Sequence, residues 1–246
     1  MEKQFVLIDS EDNLLGVSHN PVSVTVPENI YAYSAKLCHF NSPNVWYNIT
    51  TNNNSLTVDY NGGGDSELTI TPGKYSMDDF RTALQTKLVT VDPGFVVDAY
   101  NETTQRAVIR NTNNAFTINF KDMGTRLGYV NNTVLASVND TDDILTATGP
   151  VEMEDNELYV DIAQFRSLGQ STSASHRNVS FLVTVDVGRG DIVYHSENNY
   201  WEQKCQLLDD NIQSLDVTIR DRTGNKLEGM GHWSMVLCLM PRECRV

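Results

Sequence analysis

Apolar and polar residues alternate at period two along much of the chain. The pattern runs through VSVTV at 22–26, SLTVDY at 55–60, ELTIT at 67–71, AFTINF at 115–120, ELYVDI at 157–162 and SLDVTIR at 214–220. Successive side chains of a strand point to opposite faces, so each run buries one face and wets the other. NVSFLVTVDV at 178–187 is longer and more apolar and predicts a strand near the middle of a sheet, and WSMVLCLM at 233–240 predicts a closing strand. Turn clusters separate the runs: NGGGD at 61–65, TPG at 71–73, DPG at 92–94, GRG at 188–190 and TGN at 223–225. Glycine supplies positive φ and proline a fixed φ where the chain reverses. Many short strands divided by turns predict an all-β fold, a sandwich or a barrel.

One segment departs from this pattern. Apolar residues at 77, 80, 84 and 88 lie on one face of a helix over 76–88. Ser76 is a suitable N-cap, Asp78 and Asp79 match the positive helix start, and Lys87 matches its end. A second helical turn is predicted at 121–128. The polar stretches 131–149 and 169–177 read as long loops, a class often tied to function. Neither a fixed-period repeat nor a linker divides the chain.

Composition narrows the function classes. The 246 residues carry 32 acidic and 18 basic side chains, a net charge of −14, and 40% of them are hydrophobic. That length supports a substantial core. Nucleic-acid affinity comes mainly from Lys and Arg, so the acidic balance argues against direct nucleic-acid binding. The final apolar run, 235–240, is far short of the roughly 20 residues of a membrane helix. Residues 5–8 are shorter than the roughly 7–15-residue apolar stretch of a signal peptide. A soluble chain with no transmembrane segment and no cleaved leader is expected. Cys38, Cys205, Cys238 and Cys244 are too few and scattered for a disulfide framework and suggest a reduced compartment.

The chain carries no nucleophile elbow, Walker loop or His-Glu-x-x-His sequence. His19, His39, His176, His195 and His232 are far apart in sequence, and the cysteines lack zinc-ligand spacing. Asp142-Asp143 and Asp209-Asp210 lack EF-hand spacing. No catalytic, cofactor or metal site is therefore expected. One recognition motif stands out: Arg189, Gly190 and Asp191 lie between two strand patterns, where a hairpin tip is expected. Integrin ligands present Arg-Gly-Asp on such tips, so these three residues are the candidate receptor-binding site. The tripeptide also reads as an ordinary tight turn. Sequons at Asn48, Asn53, Asn101, Asn131, Asn139 and Asn178 are ascribed to the abundance of Asn, Ser and Thr.

Two stretches carry a family resemblance. The first is LTITPGKYSMDDFRTALQTKL at 68–88, followed by FTINFKDMGTRLGY at 116–129. The second is IQSLDVTIRDRTGNKLEG at 212–229, followed by the Trp233-led final strand. A strand, Pro-Gly-x-Tyr, a short amphipathic helix and a later Leu-Gly-aromatic step resemble the penton and minor capsid proteins of virophages, polinton-like viruses and related large double-stranded DNA viruses. The similarity covers about half the chain. It implies a single jelly-roll antiparallel β-sandwich, one domain over 1–246, with a strand–helix–strand region inserted at about 67–130. It further implies a homopentamer at the fivefold vertices of an icosahedral capsid, contacting a double jelly-roll major capsid protein and other minor capsid or spike proteins. The expected location is the virion, assembled inside the host cell. The alternative is a minor capsid or spike module, a lectin-like receptor binder. Trp46, Tyr47, Tyr200 and Trp201, set among polar residues, are interface candidates, since Tyr and Trp are favoured there.

Overall fold

The computed structural model describes residues 3–13, 19–100, 103–139, 142–166, 179–196, 204–208 and 211–240. The chain forms two compact units, one from residues 1–46 and 155–246 and the other from 47–154.

The first unit begins with β1 (Gln4–Asp9), β2 (Val22–Tyr31) and β3 (Ser34–Pro43). The chain then builds the second unit with β4 (Ser55–Tyr60), β5 (Asp65–Thr69), α1 (Met77–Leu88), β6 (Phe95–Val97), β7 (Val108–Asn111), β8 (Phe116–Asn119), β9 (Val134–Ala136), β10 (Val138–Asn139) and β11 (Asp143–Thr146). It returns to the first unit with β12 (Glu157–Ile162), β13 (Phe181–Thr184), β14 (Ile192–Ser196), β15 (Lys204–Gln206), β16 (Asn211–Arg220) and β17 (Ser234–Met240).

Among the described residues the first unit contains two antiparallel sheets. One runs β1-β17-β3-β14, with β15 continuing the β14 edge along the other end of β3; the second runs β13-β12-β16-β2. If β14 and β15 count as one strand, the eight strands enter the first sheet in the order first, eighth, third, sixth and the second in the order fifth, fourth, seventh, second. That interleaving is a single jelly roll, so the fold is all-β and antiparallel, with the insertion between its third and fourth strands. Alternation explains the core. Leu158, Val160 and Ile162 of β12, Leu215, Val217 and Ile219 of β16 and Leu237 and Leu239 of β17 all fall in one buried cluster with Phe40, Trp46 and Trp233. Phe40 and Trp233 stack with ring centroids 6.2 Å apart.

The predicted mid-sheet strand at 178–187 is corrected. Its strand, β13 (Phe181–Thr184), is an edge strand of the second sheet among the described residues. Phe181 and Val183 face the core while Leu182 is half-buried, so the apolar run reflects one buried face and not two.

The second unit has its own core and two further antiparallel sheets, β5-β4-β8-β9 and β10-β11-β7-β6. The helix starts as its sequence predicts: Ser76 Oγ accepts from Asp79 N at 3.1 Å, and Phe80, Leu84 and Leu88 are buried. The Gln85 amide donates to Phe95 O at 2.6 Å and accepts from Val97 N, which fixes α1 against β6. The turn predicted at 121–128 is a 3₁₀ helix over Lys121–Leu127 that ends at Gly128, φ +75°. A Cβ at that position would collide with Gly149 O, so this site requires glycine twice over. Tyr129 then stacks on Phe120 with centroids 4.4 Å apart. The expected loop at 131–149 instead holds the short strands β9, β10 and β11.

Candidate functional site

Arg189, Gly190 and Asp191 are exposed in the connection from β13 to β14. β13 and β14 belong to different sheets, so this is a crossing at the sandwich edge and not the expected hairpin tip. A buried residue, Asn44, holds the crossing in place. Gly190 N donates to Asn44 O at 2.9 Å and Asn44 N donates to Asp191 O at 2.8 Å. The Asn44 amide donates to Val187 O at 3.0 Å and Gly188 O at 3.2 Å. Gly190 takes φ +84°, and Asp191 N closes the turn on Gly188 O. The main chain of Asn44 thus holds Gly190 and Asp191, and its side chain holds the two residues Val187 and Gly188 just before the motif.

The outer face of the first sheet carries the second notable surface. Ile8 enters the core, but Phe5 and Leu7 point outward and are 67% and 65% exposed. At the opposite edge, Ile192 and Tyr194 of β14 are 52% and 60% exposed while Val193 is buried. Period-two alternation thus continues on these strands with apolar residues on the wet side. Among the described residues β1 pairs only with β17, so its other edge has no partner strand among them. Tyr194 lies beside His39, its hydroxyl 3.3 Å from Nδ1, and burial followed by His39 pushes the His195 imidazole below its ordinary value. The sequence signals for this surface are the runs at 5–8 and 192–194, where consecutive apolar residues replace the alternation of a one-faced strand.

Of the aromatic interface candidates, Trp46 is fully buried in the jelly-roll core, and Tyr47 is half-buried. Tyr200 and Trp201 lie outside the described residues. In the second unit, Val134 and Val138 are strongly exposed, and Val138 lines a cavity of about 490 Å³ together with Tyr129, Val130, Leu135 and Ile144 among others.

No helix among the described residues is long and apolar enough to cross a membrane. No protein-family model matches the chain, and no curated protein matches it by sequence. The likeness lies in structure: the crystal structure of the mavirus penton protein superposes with a TM-score of 0.51 at 12% identity, over 98% of this chain and 99% of that one. The chain therefore has the fold of a virophage penton protein, as the sequence resemblance implies.

Proposed function

We propose that this chain is a penton protein, a structural capsid subunit that forms a homopentamer at the fivefold vertices of an icosahedral double-stranded DNA virus. The observation that carries this reading is a shared fold that runs through nearly the full length of both chains, insertion included. The apolar edges of the first sheet support it. A cyclic ring joins two different surfaces of neighbouring copies, and β1 with Phe5 and Leu7 and β14 with Ile192 and Tyr194 are two such surfaces on one sheet. In this reading residues 1–246 act as one capsid domain, and the strand–helix–strand insertion expected at about 67–130 falls within the unit 47–154. The vertex contacts a double jelly-roll major capsid protein and other minor capsid or spike proteins. The chain works by shape and contact rather than by catalysis, and it resides in the virion after assembly inside the host cell. Sedimentation of the purified chain at rising concentration is expected to reveal a pentamer, and a virion map is expected to place it at the fivefold vertex. Density elsewhere in the shell would overturn the penton role.

A receptor-binding role is the second reading, favoured by the exposed Arg189-Gly190-Asp191 turn and its Asn44 brace. Cell attachment should fall sharply for Asp191→Glu, which keeps the charge but lengthens the arm. Equal attachment of the two proteins would remove this reading.

A further inference from the structure

The histidines that are dispersed in the sequence do not stay dispersed in the fold. β1 ends at Asp9 and passes into a 3₁₀ turn over Ser10–Asp12, beside the segment that leads into β17. Ser10 N donates to Trp233 O at 3.0 Å and Trp233 N donates to Ser10 Oγ at 2.9 Å, which locks the two segments together. This lock places the His232 imidazole against the turn. His232 Nε2 lies 2.6 Å from Asp9 Oδ1, which also accepts from Glu11 N at 2.9 Å. One donor atom each from Asp9, Glu11 and His232 falls within 4.8 Å of the others. The His19 ring stands edge-on to His232, centroids 6.4 Å apart, and its Nδ1 is buried with no hydrogen-bond partner among the described residues.

We propose that Asp9, Glu11 and His232 form a divalent-cation site, with the fourth position left to solvent. Two carboxylates and imidazole nitrogen make a mixed oxygen–nitrogen donor set. Such a set suits Zn²⁺, which takes three or four ligands from His, Asp and Glu in tetrahedral geometry, better than it suits Mg²⁺ or Ca²⁺, which favour all-oxygen shells. The cation would take the place of the proton between Asp9 and His232 and would tie the first strand to the last at one end of the sheet. Asp9 and Glu11 stand on a turn whose backbone is already fixed, so the site needs side-chain adjustment and no change of fold. The inference concerns this chain's own residues and holds whether or not the chain is a penton.

The test uses the full chain, stripped with chelator and desalted, and titrated with Zn²⁺ by calorimetry and with Co²⁺ by its visible absorption. One cation per chain is expected, with a tetrahedral cobalt spectrum. The melting temperature should rise by about 5 °C at a hundredfold excess over the dissociation constant. Glu11→Gln, at an exposed position that leaves the fold intact, should weaken binding about 10-fold or more, and His232→Ala should abolish the cobalt spectrum. Absence of binding by the wild type would overturn the site. So would binding of unchanged strength in both variants, which would put the cation on other groups.

Discussion

In the jelly-roll unit β2 and β16 are ten residues each, and β1 meets β17 by pairing Gln4 with Leu239, nearly the whole length of the chain. In the insertion the longest described strand has six residues, and its pairings stay within 55–146. The first unit is thus held by long strands whose partners come from opposite ends of the sequence. The second compensates for short strands with local devices: a capped helix, the Gln85 clamp on β6, and the Gly128 approach to Gly149. The difference shows that one chain can reach a buried apolar core by two routes. Distant pairing organises one unit, while fixed turns and caps organise the other.

Emptying each core in turn separates the two units most strongly. Phe80 in the insertion and Phe181 in the jelly roll are both fully buried. Replacing either with Ala should cost about 3–5 kcal/mol. Hydrogen exchange should show Phe80→Ala exposing the amides of β4 while those of β16 keep their protection, and Phe181→Ala doing the reverse. Simultaneous loss in both strands would mean that the units unfold as one.

Gly128→Ala tests the local devices. It combines a left-handed backbone with a collision at Gly149, and should destabilise the insertion by about 3 kcal/mol in urea denaturation. If the midpoint stays put, the close approach is not what secures the 3₁₀ end.

A pH series sharpens the jelly-roll side. Burial pushes the Cys205 thiol up to about 12 from 9.0, and its Sγ donates to Ser180 O at 2.7 Å. The unfolded thiol ionises from pH 9.0 upward while the folded one keeps its proton. Its contribution is therefore complete below pH 9.0 and is lost as pH rises toward about 12. Urea midpoints of the jelly roll should fall above pH 9.0, and Cys205→Ala should make that fall shallower. An identical slope in the variant would assign the effect to other groups.

Smaller effects follow. Ser76→Ala removes the helix cap and should cost about 1 kcal/mol. Phe5→Ser with Leu7→Ser should change monomer stability by no more than about 0.5 kcal/mol, since both side chains are exposed, yet weaken association in sedimentation. A large loss of stability in the double variant would show that the two side chains support the monomer's own fold.

Much of the local structure can be read from the residues. The strands at 55–60 and 157–162 and the helix face at 77, 80, 84 and 88 appear where their periodicity puts them, because side-chain direction in a strand or helix depends only on neighbours in sequence. The functional surfaces are less legible. Trp46 sits among polar residues and is nevertheless fully buried, while Phe5 and Leu7 belong to an apolar run and are exposed. Composition around a residue does not say which side of a finished sheet it faces.

Periodicity establishes which face each strand buries and where the helix begins. It leaves open which strands are neighbours, because burial of apolar surface is non-directional and any two sheets with matching faces satisfy it. That choice was made by backbone pairing across the whole chain. It put β13 at an edge, set Asn44 under the Arg189-Gly190-Asp191 turn, and brought Asp9 and Glu11 to His232. Those side chains meet only because the first strand lies against the last, a neighbourhood that spacing along the sequence does not encode.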